Sequence, residues 1–95
     1  MSVQGDVAKL TRVITNIVTN ALDAIGDREH GKIWVHTATL ANAALEILIG
    51  NDGPSLTRSA RERIFDPFFT SGKRSGTGLG LVSARKIVED HGGTI

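Results

Sequence analysis

Gly76-Thr77-Gly78-Leu79-Gly80-Leu81 constrains this chain more than any other run. Three glycines on alternate residues leave no Cβ between the backbone and whatever lies beside it, and they tolerate backbone angles closed to other residues. The run stands between a short Gly/Ser/Lys/Arg loop and a segment with the spacing of an amphipathic helix. The first turn of a helix carries unpaired N–H groups and the positive end of its dipole. Together these features predict an anion site, best suited to phosphate. A tight turn with close helix packing is the other reading of the glycines taken alone. A Walker A loop is a poor fit, because Gly72-Lys73 is followed by Arg74 rather than Ser or Thr, and Pro67 occupies the earlier glycine position. The strand–turn–helix order of a dinucleotide fold also fails, because a long loop precedes the glycines.

The rest of the chain supplies the frame. Leu10, Val13, Ile14, Ile17, Val18, Ala21, Leu22 and Ile25 form the apolar stripe of a helix over residues 6–25, with Asp6 as N-cap and Gly26 as stop. Lys32 to Thr39 and Ala44 to Ile49 read as two strands. Ile33, Val35 and Thr37 share one face of the first, and Leu45, Ile47 and Ile49 one face of the second. The short link between them predicts an antiparallel hairpin. Gly50 to Ser55 is turn-rich, and Arg58 to Arg63 forms a short helix capped by Thr57. Phe65 to Gly78 is a loop with an aromatic beginning and a basic middle. Leu79 to Asp90 is a second long helix offering Leu81, Val82, Ala84, Ile87 and Val88 to a core, ended by His91-Gly92-Gly93, and Thr94-Ile95 starts a further strand.

At 95 residues and a net charge of +1, with Lys and Arg spread along the chain, the sequence suits one small domain and lacks the basic stripe of a nucleic-acid binder. No apolar run is long enough to span a membrane and no signal peptide is visible, so a cytoplasmic location is expected. There is no Cys, which excludes thiolate and disulfide chemistry. Three scattered His residues lack metal-ligand spacing.

Several polar residues are candidates for chemistry. Asn16 and Asn20 stand four apart, on one helix face bordering the apolar stripe, with Asp23 one turn on. They are either solvated residues or amide oxygens facing a ligand, one of them on Mg²⁺, a cation that favours oxygen ligands and keeps waters when it bridges phosphates. Asn51-Asp52-Gly53-Pro54 follows a strand and is either a plain turn or a reader of a polar ligand edge. Phe65, Phe68 and Phe69 read chiefly as a satellite cluster that anchors the loop. Lys73 and Arg74 are either solvated loop charges or phosphate contacts.

Four segments, in one order, resemble a single family. Leu10 to Ala24 (LTRVITNIVTNALDA) resembles the N box of sensor histidine kinases. Asn51 to Leu56 (NDGPSL) resembles their G1 box, Ile64 to Gly72 (IFDPFFTSG) the F box, and Gly76 to Leu81 (GTGLGL) the G2 box. The resemblance covers nearly the whole chain and falls within the wider group of Bergerat-fold ATPases, which includes gyrase-type, mismatch-repair and chaperone members. It implies a two-layer α/β sandwich with helices on one face of a mixed sheet, spanning residues 1–95 as one ATP-binding domain shortened at both ends. The short lid and the NALDA ending are similar to the nitrogen-regulation and oxygen-sensing kinases.

The resemblance also assigns the site. Asn20 is implied as the Mg²⁺ ligand, and Asn16 as lining the phosphates. Thr70 to Thr77 form the lid, and Thr70, Lys73, Arg74, Gly76, Thr77, Gly78, Leu79 and Gly80 cradle ATP. Asp23, Asn51, Gly53, Ser55 and Phe65 complete the nucleotide site. Two positions depart from the family pattern. Asn51 stands where an Asp usually accepts the adenine amino group, and Ser55 stands where a glycine is usual. Altered or weaker nucleotide binding is the expectation.

The implied activity is transfer of the γ-phosphate of MgATP to a histidine on a separate helical dimerisation domain, and from there, indirectly, to a response regulator. No such acceptor helix is seen, and His30, His36 and His91 read as structural or solvated. Hydrolysing relatives carry a Glu where this chain has Asn16, an amide without useful basicity, which favours transfer over hydrolysis. Two alternatives stay open: a non-catalytic nucleotide-binding or interaction module, and a clamp-type ATPase. An incomplete sheet has open edges that invite self-association.

Overall fold

The computed structural model describes residues 4–27, 29–69 and 78–95. The element order is α1 (Val7–Ile25), β1 (Ile33–Thr39), β2 (Leu45–Asn51), α2 (Arg58–Arg63) and α3 (Gly80–Asp90).

The ends of α1 follow from its caps. The Asp6 carboxylate accepts from the Lys9 N–H at 3.0 Å, filling one of the orphan donors of the first turn. Gly26 closes the helix at φ +62, its N–H donating to Leu22 O at 3.0 Å, a left-handed turn that a side chain would strain. Within the stripe Val13, Ala21 and Ile25 are buried. Ile14 and Leu22, expected in the core, are 38% and 56% exposed.

The core is the seam between α1 and α3. Val13, Ala84 and Ile87 are buried there, with Leu10, Ile17 and Val88 packed around them. Ala84 is fully buried, which lets the two helices approach closely. α3 ends at His91, and Gly92 turns the chain at φ +78. Thr94 and Ile95 are not a strand.

β1 and β2 pair antiparallel in the register Val35↔Ile49, Thr37↔Ile47 and Thr39↔Leu45. The link closes through Leu40 N–H to Ala44 O at 2.8 Å and Ala43 N–H to Leu40 O at 2.9 Å, with Ala43 at φ +66. The expected mixed sheet is represented among the described residues by this one antiparallel pair. Alternation places Ile33, Val35, Thr37, Ile47, Ile49 and Asn51 on one face. Trp34 stands opposite Gly50 and its indole lies over that glycine, where a Cβ would be 2.5 Å from the ring.

α2 is capped by Thr57, whose hydroxyl accepts from the Ala60 N–H at 3.1 Å, and it buries Ala60. The ion pairs Arg58–Glu62, Arg63–Asp66, Arg85–Glu89 and Lys86–Asp90 are all exposed, and such pairs contribute little.

Candidate functional site

Two contacts mark the ends of a polar track along α1. At one end Asn16 Nδ2 donates to Gly80 O at 3.0 Å in a partly buried bond. A carbonyl only accepts, so the NH₂ end of the amide must face α3. At the other end a Cβ on Gly53 would stand 2.7 Å from Ala24 O, so the loop after β2 rests directly on the α1 backbone. Residues 16 and 24 are separated by about 12 Å of helix rise. Asn20 lies between them, half-buried and one turn from Asn16 on the same face.

Alternating side chains hold the loop after β2 in opposite directions. Asn51 Oδ1 accepts from the Gly53 N–H at 2.8 Å. Asp52 Oδ1 accepts from the Lys32 N–H at 2.9 Å, and the Asp52 N–H donates to Lys32 O at 3.2 Å. Asp52 thus adds a rung to the hairpin, a role its Asp-Gly context did not signal. Asn51 shapes the turn towards α1.

The glycines of the site divide by cause. Gly53 is held against Ala24. Gly78 has φ +76, and a Cβ there would meet the Phe68 backbone, 2.6 Å from its Cα. Both are required by the fold itself. Gly80 is not: a Cβ would find ordinary contact with Asn16, 3.7 Å from Cγ, and Gly80 is helical, where glycine is the poorer choice. Gly80 is the first residue of α3. There Leu79 occupies the N-cap position, 40% exposed, and its side chain makes no cap bond to the first-turn N–H groups.

The phenylalanines do not form one cluster. Phe65 is half-buried beneath Arg85, whose guanidinium carbon is 5.0 Å from the ring centroid. Phe69 lies beneath Arg63 at 4.8 Å. Phe68 is 73% exposed. Its backbone takes φ +66 and its N–H donates to Gly78 O at 3.0 Å, so it acts through the main chain as a clasp between residues 68 and 78. A left-handed phenylalanine has no sequence signature.

Asp23 and Ser55 are exposed. Thr70, Lys73, Arg74, Gly76 and Thr77 lie outside the described residues. Among the described residues no three His, Cys, Asp or Glu side chains converge as a metal cage, and no helix is long and apolar enough to cross a membrane.

His91 is a structural tie. Its Nδ1 lies 2.7 Å from Ile87 O, so that nitrogen carries the hydrogen. Nε2 is left to accept from the Asp6 N–H at 3.1 Å, joining the start of α1 to the end of α3. The bond from the Lys9 N–H, and the Lys9 charge after it, hold the exposed Asp6 carboxyl below its ordinary pKa of 3.8.

Residues 5–95 match the family described as Histidine kinase-, DNA gyrase B-, and HSP90-like ATPase. The C4-dicarboxylate transport sensor protein DctB of Rhizobium meliloti (strain 1021) is 42% identical over 91 residues, covering 96% of this chain and 14% of that protein. The sensor histidine kinase ZraS of Escherichia coli (strain K12) is 43% identical over 93 residues, 98% of this chain and 19% of ZraS. The sensory histidine kinase/phosphatase NtrB of Rhizobium leguminosarum bv. phaseoli is 36% identical over 100 residues, 92% of this chain and 26% of NtrB. The chain therefore spans about a quarter or less of the relatives it matches.

Proposed function

This chain belongs to the histidine kinase-, DNA gyrase B- and HSP90-like ATPase family, and from that premise we propose that it binds MgATP as the catalytic domain of a sensor histidine kinase. The 95 residues act as one domain. The observation that carries the reading is the α1 track: Asn16 and Gly80 at one end, Ala24 and Gly53 at the other, about 12 Å apart. That spacing suits a phosphate chain at the uncapped start of α3 and a base over the loop after β2.

In this reading the first-turn N–H groups of α3 bind phosphate oxygens, and Gly80 leaves them room to approach. Asn20 would hold Mg²⁺ through its side-chain oxygen, a hard ligand of the kind this cation favours. The cation's chemistry is neutralisation of charge on the transferring phosphoryl group. Asn16 fixes α3 through Gly80 O and has no basicity with which to activate water. Transfer of the γ-phosphoryl to an imidazole nitrogen forms a P–N bond, breaks the bridging P–O bond and leaves ADP. That imidazole belongs to a helical dimerisation and phosphoacceptor domain, which passes the group on to a response regulator, all within the cytoplasm. Thr70, Lys73, Arg74, Gly76 and Thr77 are proposed as the lid over the phosphates, with Asp23, Ser55, Phe65 and Leu79 at the margins of the site.

Calorimetric titration with ATP and ADP, with and without Mg²⁺, tests the site. Magnesium-dependent micromolar binding that Asn20→Ala weakens at least tenfold is expected, together with phosphorylation in trans of a helical domain from a related kinase. Binding indifferent to Mg²⁺ and to Asn20→Ala would remove Asn20 from the metal. Robust ATP turnover by the chain alone would favour a clamp-type ATPase instead.

A further inference from the structure

At the end of β2 the Asn51 amide has its oxygen engaged and its NH₂ group unpartnered among the described residues. The Gly53 N–H can only donate, and it takes Asn51 Oδ1 at 2.8 Å. That contact settles which end of the amide is which. The NH₂ end takes no partner among the described residues. A carboxylate at this position would offer two acceptor oxygens, one for Gly53 and one to spare, whereas an amide offers one acceptor and two N–H donors. With that oxygen engaged in the turn, the two N–H donors are the groups left without a partner among the described residues.

The loop has little freedom to reverse this. Gly53 is held against Ala24, with its missing Cβ position 2.7 Å from the carbonyl oxygen and 2.8 Å from Asn51 Oδ1. Asp52 does not stand in, because its Oδ1 holds the Lys32 N–H across the hairpin. Asn51 is half-buried at the end of β2, beside the stretch of α1 that lies two turns from the Asn16–Gly80 contact. A nucleotide whose phosphates sit at that contact has its base here.

We propose that Asn51 is a specificity-determining residue that turns this site from 6-aminopurine towards 6-oxopurine nucleotides. The proposal rests on the nucleotide reading above. An exocyclic amino group at purine C6 is a donor and meets the Asn51 NH₂ donor to donor, leaving both unpaired. A 6-oxo group accepts from it. ATP still binds through its phosphates; what changes is discrimination at the base.

The test compares Mg²⁺-dependent dissociation constants of ADP and inosine diphosphate, which differ at the C6 substituent and at N1, for the whole chain and for Asn51→Asp. The aspartate keeps an acceptor for the Gly53 N–H, so the turn survives, and far-ultraviolet circular dichroism checks the fold. Inosine diphosphate is expected to bind at least as tightly as ADP to the unaltered chain. Asn51→Asp is expected to shift the ratio towards ADP by roughly fivefold to a hundredfold, the range of one mismatched buried polar contact. A tenfold preference of the unaltered chain for ADP, or a ratio unmoved by Asn51→Asp, overturns the proposal while leaving the nucleotide site standing. Binding of neither nucleotide by the folded chain overturns the nucleotide reading and this proposal with it.

Discussion

The α1–α3 pair and the β1–β2 hairpin are built by different means. The helices share a seam in which Ala84 is fully buried and Val13 and Ile87 are buried with it. The hairpin is held by its ladder and its end clamp, yet Val35 and Ile47 on its apolar face are 56% and 43% exposed, and Trp34 and Leu48 on the other face 45% and 57%. The residues proposed to meet phosphate stand on the packed pair. The residue proposed to meet the base stands on the hairpin's end, where a hydrogen-bonded turn rather than a core fixes its geometry. In that proposal, positioning against a charged ligand draws on packing, and recognition of the base on polar pairing.

The comparison is tested most severely by truncation at equivalent residues. Ile87→Ala should cost about 2–4 kcal/mol in denaturant unfolding, since it opens a cavity in the seam. Ile47→Ala should cost less than about 1 kcal/mol, because much of its side chain already meets water. Equal losses would mean that the hairpin face is as well covered as the seam.

The two glycines at either side of Leu79 sharpen the contrast between fold and ligand. Gly78→Ala should destabilise by about 1 kcal/mol or more, because φ +76 and the Phe68 backbone both oppose a side chain. Gly80→Ala should leave the unliganded fold unchanged or more stable by up to about 1 kcal/mol, yet weaken nucleotide binding. Nucleotide affinity unaffected by a methyl at position 80 would show that phosphate does not approach there.

The smallest effect lies at the start of α1. The Asp6 carboxyl is held below 3.8 by the Lys9 N–H. A depressed folded-state pKa stabilises above the unfolded value, and the contribution is lost as pH falls through the folded one. The thermal midpoint should therefore fall slightly more for the unaltered chain than for Asp6→Asn, whose amide caps without titrating, as pH drops below 3.8.

Local signals were the legible part of the fold. The caps at Asp6, Gly26 and Thr57 stand where their chemistry predicts, and the hairpin forms with β2 two residues longer at its end than the alternation suggests. Asn16 was legible as a polar residue bordering the apolar stripe, but not the bond its NH₂ makes across 64 positions to Gly80 O. Ile14 and Leu22 fit the stripe and are exposed, because periodicity marks a face and does not say how much of it a neighbour covers. The Phe68 clasp and the His91 tie to Asp6 join residues whose separation in the chain hides them.

The sequence by itself determined which segments form the helices and the hairpin, where the helix caps stand, and which polar residue types the chain carries, because capping, alternation and glycine act over a few residues. Only the tertiary structure decided which glycine has room for a Cβ, and which end of the Asn51 amide is engaged in the turn. Those outcomes depend on what a distant segment places opposite the residue: Phe68 beside Gly78, Asn16 beside Gly80, and Ala24 behind the Gly53 N–H that takes the Asn51 oxygen.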